Sequence, residues 1–129
     1  MKFAKYWFPV LLYSGIIYFL SAQPNLKVPH AEIGFDKFAH LLEYGPFGFL
    51  ITRAVKNYRP KWSLVAIGSL VMLLLLAHGL ADEFHQGFVI GRDCNIFDAL
   101  ADLGGGALGG WFYLKEVSRK IKRTRRLKT

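Results

Sequence analysis

The pentapeptide Asp82-Glu83-Phe84-His85-Gln86 sets two carboxylates, an imidazole and an amide directly after an apolar run, Leu64 to Leu80, long enough to cross a membrane. An acid held at mid-bilayer costs about 2.5–3.5 kcal/mol on insertion scales, so a chain that keeps such groups beside hydrocarbon has a use for them. Arg92, Asp98 and Asp102 follow within twenty residues, and Lys37, His40, Glu43 and Tyr44 form a second polar group upstream. These are the groups of proton transfer, cation binding and headgroup recognition.

Helical spacing says which of them can act together. His78, Asp82 and Gln86 are four apart and share a face, with His85 beside them, while Glu83 lies about 100° round. Lys37, His40 and Tyr44 share a stripe, Asp36, His40 and Glu43 can also be near one another, and Asp98 and Asp102 are one turn apart. For catalysis, Glu83 or Asp82 is the candidate base and His40 its acid–base partner, with Lys37, Tyr44, Gln86, Arg92, Asp98 and Asp102 as substrate contacts. No Ser or Cys nucleophile motif is present, so water or a metal-bound hydroxide would have to attack. A divalent metal has two candidate patterns, His40-x-x-Glu43 and His78-x-x-x-Asp82-x-x-His85. Neither is a His-Glu-x-x-His or a cysteine pair, so the pattern alone is weak. The plainer reading of the same residues is a polar network that ties helices together, with Arg92 or Lys37 paired to Asp82, Glu83 or Asp98.

The elements that must position these groups are apolar blocks. The 129 residues suffice for one domain and are 53% hydrophobic. Four blocks, at about Tyr6–Ala22, Phe38–Ala54, Trp62–Ala81 and Ile96–Leu114, each approach the length of about 17–25 residues that a membrane span needs. The second is the weakest, since it holds His40, Glu43 and Pro46. A water-soluble bundle would need polar faces, and Val65–Ala77 offers only Gly68 and Ser69 as breaks. The expected fold is therefore all-α, an integral membrane bundle of four transmembrane helices. Cys94 is the single cysteine, so no intrachain disulfide forms, and it is read as an ordinary loop residue.

Charge sets the orientation. The segment from Lys115 to Thr129 carries eight of the seventeen Lys and Arg residues. With Lys2, Lys5, Arg53, Lys56, Arg59 and Lys61 they place fourteen on one side, against Lys27, Lys37 and Arg92 on the other. By the positive-inside rule both termini face the cytoplasm, and the connections around 23–37 and 82–95 face outward. The net charge of +8 then reflects a juxtamembrane basic tail attracted to anionic lipid rather than a nucleic-acid surface, as no aromatic residue interrupts that tail. Eight of the nine acids (Glu32, Asp36, Glu43, Asp82, Glu83, Asp93, Asp98 and Asp102) and all four histidines fall at the outer side. The rule for Lys and Arg does not demand this.

Three further features bear on packing. Residues 104–110 read Gly-Gly-Gly-Ala-Leu-Gly-Gly, in which Gly105 and Gly109 form a G-x-x-x-G pair and Gly106 and Gly110 another, the signature of close helix approach. A homo-oligomer through Gly105 and Gly109 is one expected use. Pro46, flanked by Gly45 and Gly48, predicts a kink that opens a pocket at the outer face. Met1–Ala22 also has the shape of a signal peptide, but its apolar stretch is long for that role and retention is expected.

The order of these pieces resembles the VanZ-like family of small bacterial membrane proteins, named for a teicoplanin-resistance protein. The resemblance runs from about Ser21 to Gly109. It is carried by Ser21-x-Gln23-Pro24 after the first span, Asp36-Lys37-x-x-His40-x-x-x-Tyr44 entering the second, and Asp82-Glu83-x-x-Gln86 leaving the third, completed by Arg92, Asp98, Gly105 and Gly109. Asp102 departs from it, standing where the family pattern has Asn. The resemblance implies a multi-pass protein of the bacterial plasma membrane that affects susceptibility to lipid-anchored or cell-wall-directed antibiotics, and it implies no particular reaction. Within that frame the expected function is binding of a membrane amphiphile's headgroup, such as a lipid-linked cell-wall precursor or a lipopeptide, in an outward-facing polar pocket. The alternatives are a membrane-embedded hydrolase or transferase acting on a lipid, and a proton-coupled transporter.

Overall fold

The computed structural model of the chain describes residues 2–24, 33–92 and 94–127, without the side chains of residues 33–36 and 125. Lys27, Pro29, His30, Glu32, Asp93, Lys128 and the Asp36 side chain, all used in the charge and motif reading, lie outside the described set. The described residues are all-helical, with no strand: α1 (Lys2–Ser21), α2 (Ile33–Tyr58), α3 (Leu64–Gln86) and α4 (Ile96–Arg126). Each helix contains one of the four expected apolar blocks.

The boundaries have local causes. Ser63 caps α3, its hydroxyl accepting from the Ala66 amide at 3.1 Å. At the other end α3 does not stop with its apolar run at Leu80 but continues through Asp82–Gln86, and Gly87 then caps it. The connection to α4 turns at Gly91, whose φ of 83° suits a residue without a Cβ. Asn95 opens α4 by accepting the Phe97 amide on its side chain at 3.0 Å. α4 runs beyond the apolar block and takes the basic segment with it as helix. No Gly or Pro interrupts residues 111–126, and Glu116 pairs with Arg119 at 2.7 Å on one turn.

Two helices, α1 and α3, are long and apolar enough to cross a membrane. Only 11% of the most apolar stretch of α1 and 22% of that of α3 are buried. Phe8, Leu11, Leu12 and Phe19 of α1 and Leu64, Val65 and Leu73 of α3 point away from the protein. The core helix of a water-soluble protein would be covered, and so large a bare apolar surface is one that a membrane or a partner covers. The buried core is built from Ile17, Tyr44, Phe47, Ile51, Val55, Ile67, Val71 and Leu75.

The most extensive interface is α2 against α4, and it is made of glycines. A Cβ added at Gly48 would fall on the Gly106 carbonyl oxygen, and at Gly105 on the Leu41 carbonyl oxygen. At Gly109 it would fall on the Gly45 carbonyl oxygen and lie 3.0 Å from the Phe49 nitrogen. Backbone thus meets backbone along this seam, the device by which helices associate when hydrocarbon surrounds them. Gly105 and Gly109, through which a homo-oligomer was expected, pack here on α2 of the same chain. Pro46 lies within the continuous α2, and its neighbours Gly45 and Gly48 serve the seam.

Candidate functional site

The ends of α1 and α3 meet the starts of α2 and α4, so each polar segment singled out from sequence arrives at one end of the bundle. Five contacts between helices organise it. Lys37 Nζ of α2 lies 2.8 Å from Asp98 Oδ1 of α4. One turn on, His40 Nδ1 lies 2.9 Å from Asp102 Oδ1. Ser21 at the end of α1 donates to Asp82 Oδ2 of α3 at 2.7 Å. Deeper in, Tyr44 Oη of α2 is 2.8 Å from His78 Nδ1 of α3, and Ser14 Oγ of α1 is 2.7 Å from His78 Nε2. Both ring nitrogens of His78 are thereby engaged.

The helical faces sort the groups. Asp82 and Gln86 look towards α1, where Gln86 Nε2 also donates to Asp82 Oδ2 at 3.0 Å. Arg92 holds the rim, donating to Gln86 Oε1 and to the carbonyls of Leu20 and Gln23, each at 3.3 Å. Glu83 looks towards α4, where its Oε2 accepts the Asn95 amide at 2.8 Å. Glu83 also comes within reach of two sets of groups. Ligating atoms of His40, Glu83 and Asp98 lie within 4.8 Å of one another, as do those of Asp82, Glu83 and Asp102.

These residues are deeply buried: His40, Asp82, Glu83, Gln86, Asp98 and Asp102 are all at most 6% exposed, and Tyr44 is fully covered. Burial without partners is costly for a polar atom. Yet Asp82 Oδ1, Glu83 Oε1, Asp102 Oδ2 and Glu43 Oε1 have no hydrogen-bonding partner among the described residues. Of the cationic groups nearby, Lys37 pairs with Asp98 and Arg92 donates to Gln86. The site thus carries carboxylate oxygens that no described residue satisfies.

A cleft of about 380 Å³ opens between α1 and α3, lined by Leu11, Ser14, Gly15, Tyr18, His78, Ala81 and Asp82. Its walls are the apolar outer faces of the two membrane-length helices, and its floor is Asp82 and His78. A second hollow of about 370 Å³ follows Pro46 and Gly109, with Tyr13, Phe49 and Phe112 as walls. It is apolar, and none of the site acids lines it.

A model of the VanZ/LLP1 family matches residues 3–119. The chain belongs to that family. No curated protein and no solved structure matches it. In this VanZ/LLP1 chain the residues expected from sequence to form a site converge, with Arg92 linked to the others through Gln86. Among the described residues, the metal pattern read along α3 does not assemble. His78 is spent on Ser14 and Tyr44, and His85 stacks on Tyr18 with ring centres 4.3 Å apart. The sets with ligand spacing assemble instead across helices, which spacing along one helix cannot reveal. Ser14 and Ser21 escaped notice as members of the network, since a lone serine in an apolar helix is unremarked. Ser21 had a signal, its place in Ser21-x-Gln23-Pro24. The Asn95 amide had none, because a backbone donor has no residue type.

Proposed function

We propose that this VanZ/LLP1 member is a four-span protein of the bacterial plasma membrane, with both termini cytoplasmic, that binds the polar headgroup of a membrane amphiphile at the outward end of its bundle. The charge asymmetry supports the orientation. The bare apolar surfaces of α1 and α3 support immersion in lipid, and the length of α2 and α4 suits them to accompany α1 and α3 across the membrane. One observation carries the binding reading: the cleft between α1 and α3 is walled by lipid-facing side chains and floored by Asp82 and His78. An amphiphile can lay its chain along the walls and bring its headgroup to the acids without leaving the bilayer. The volume of the cleft lies within the range of about 300–1,000 Å³ usual for small-molecule sites.

In this reading Asp82 at the floor, with Glu83 and Asp98 on the α4 side of the same cluster, takes an amine or a bridging cation, and Lys37 and Arg92 take anionic groups. Lipid-linked cell-wall precursors and lipopeptides have this chemistry, and capture of either would alter susceptibility to glycopeptide or lipopeptide antibiotics. The test is binding of a polyprenyl phosphate and of a cationic lipopeptide to the protein in lipid nanodiscs. Asp82→Asn and Arg92→Ala should each weaken one of the ligands about tenfold, the scale of a lost charge-assisted hydrogen bond. Unchanged binding of both ligands in well-folded variants refutes the reading.

The second reading is a hydrolase or transferase on a lipid substrate. His40 held by Asp102 at 2.9 Å, with Glu83 within ligand distance of His40, is the observation in its favour. A histidine oriented by a carboxylate beside a second carboxylate is an acid–base arrangement. Turnover that disappears in Glu83→Gln while headgroup binding persists would decide for it.

A further inference from the structure

We infer that Asp82, Glu83 and Asp102 hold a hard divalent cation of the Mg²⁺, Ca²⁺ or Mn²⁺ class. The geometry of each carboxylate is divided in the same way. On Asp82, Oδ2 is fixed by Ser21 at 2.7 Å and Gln86 at 3.0 Å, while Oδ1 has no partner. On Glu83, Oε2 is fixed by the Asn95 amide at 2.8 Å, while Oε1 has none. On Asp102, Oδ1 is fixed by His40 at 2.9 Å, while Oδ2 has none. One oxygen of each acid is oriented by a neighbour and the other is left bare, as in metal sites whose ligands are aimed by outer partners.

The bare oxygens belong to residues 4%, 2% and 0% exposed, so solvent does not meet them from the surface. The three groups offer ligand atoms within 4.8 Å of one another. Two oxygens on opposite sides of an ion at about 2.4 Å are separated by about 4.8 Å, so a single cation can touch all three. Three buried carboxylates so close repel one another unless a cation or protons intervene. An all-oxygen donor set selects a hard ion over zinc or copper. The overlapping set of His40, Glu83 and Asp98 is less suited to a hard ion, because His40 brings nitrogen rather than oxygen and its Nδ1 is already on Asp102.

A cation here gives the headgroup a chemical class. It would bridge the acids to phosphate oxygens, allowing an acid-rich site to take an anionic lipid. The inference rests on the proposal that this cluster is the working site, but its test does not. Full-length protein in nanodiscs of zwitterionic lipid, stripped with EDTA, is titrated with MnCl₂ and free Mn²⁺ is read by electron paramagnetic resonance. About one Mn²⁺ should bind per chain and be displaced by Mg²⁺ or Ca²⁺. Glu83→Gln and Asp102→Asn should each weaken binding about tenfold or more, as losses at metal sites do. Glu116→Gln, remote from the cluster, should leave binding unchanged. Mn²⁺ should also raise the melting temperature of the wild type and not of the two variants. If Asp102→Asn does not fold, Glu83→Gln carries the test, since its amide oxygen can still accept from Asn95. A folded wild type that binds no Mn²⁺ at millimolar concentration, or variants that bind it equally, overturns the inference. The two proposals fail separately. Polyprenyl phosphate binding that survives EDTA, with no Mn²⁺ bound, removes the cation and keeps the headgroup. Stoichiometric Mn²⁺ without lipid binding does the reverse.

Discussion

Gly109→Ala should destabilise the bundle, and Gly104→Ala, five residues earlier on the same helix, should stabilise it. At Gly109 the new Cβ would meet the Gly45 carbonyl group, its carbon at 2.8 Å, and the Phe49 nitrogen at 3.0 Å. Ordinary contact begins at 3.4 Å, so the seam must open by at least 0.6 Å at the Gly45 carbon, and by more at its oxygen. The obstacle is backbone and cannot rotate away. Overpacking costs about 1–3 kcal/mol, and a rigid obstacle puts this site near the upper figure. The helix-forming advantage of Ala over Gly, about 1 kcal/mol, offsets part of it and leaves a net loss of about 2 kcal/mol. At Gly104 nothing lies within 4 Å, so the same advantage of about 1 kcal/mol acts unopposed. The two variants should differ by about 3 kcal/mol, more than a hundredfold in the folding equilibrium. Denaturant-induced unfolding in detergent micelles, followed by far-ultraviolet circular dichroism, measures the difference. Equal stability of the two variants refutes the seam. The experiment also examines its exclusivity: if Gly109 served a second copy, the variant would shift the monomer–dimer balance and leave the monomer's stability intact.

Three further outcomes follow. Lys37→Met should cost about 2 kcal/mol, below the loss of about 3–5 kcal/mol for breaking a fully buried pair because Lys37 is 31% exposed, and Lys37→Met with Asp98→Asn should recover part of it in a double-mutant unfolding cycle. Tyr44→Phe should cost about 1–2 kcal/mol, because it strips a buried partner from His78 Nδ1, and unfolding of the variant in detergent reads the loss. Cys94, the single cysteine and exposed, should react with a membrane-impermeant maleimide in sealed right-side-out vesicles. Labelling only after the vesicles are opened would reverse the proposed orientation.

Much of this architecture was legible because hydrophobic blocks and charge are one-dimensional signals. The four apolar runs became four helices, and Asp82, Gln86 and Glu83 divide between α1 and α4 as their angular spacing requires. The seam was only half legible. The glycines from 104 to 110 announce close approach, but a helix face does not name its partner. The complementary signal lay in Gly45 and Gly48, which beside Pro46 read more readily as a kink. Histidine roles were the least legible. His78 and His85 share a helix with Asp82 and have ligand-like spacing, yet the fold gives one to Ser14 and Tyr44 and the other to Tyr18. What decides between these uses is the neighbouring helix, which lies dozens of residues away in the chain.

The distribution of packing gives the site a rigid half and a yielding half. α2 and α4 are locked backbone to backbone, and that lock sets the register of Lys37 on Asp98 and of His40 on Asp102. α1 makes its broader contact with α2, through Tyr13 to the Glu43 carbonyl at 3.0 Å and Tyr6 under Arg53. Against α3 it touches less, through hydrogen bonds of Ser14 with His78, Ser21 with Asp82 and Gln86 with Ser21, and through Tyr18 stacked on His85. The cleft lies along this weakest interface. Interhelical hydrogen bonds in membranes average about 0.6 kcal/mol, so these three hold α1 to α3 by about 2 kcal/mol. A headgroup that competes for Asp82 would release Ser21 and a further share of that hold. α1 thus covers Asp82 through this lighter interface, while Asp98 and Asp102 are placed by the seam.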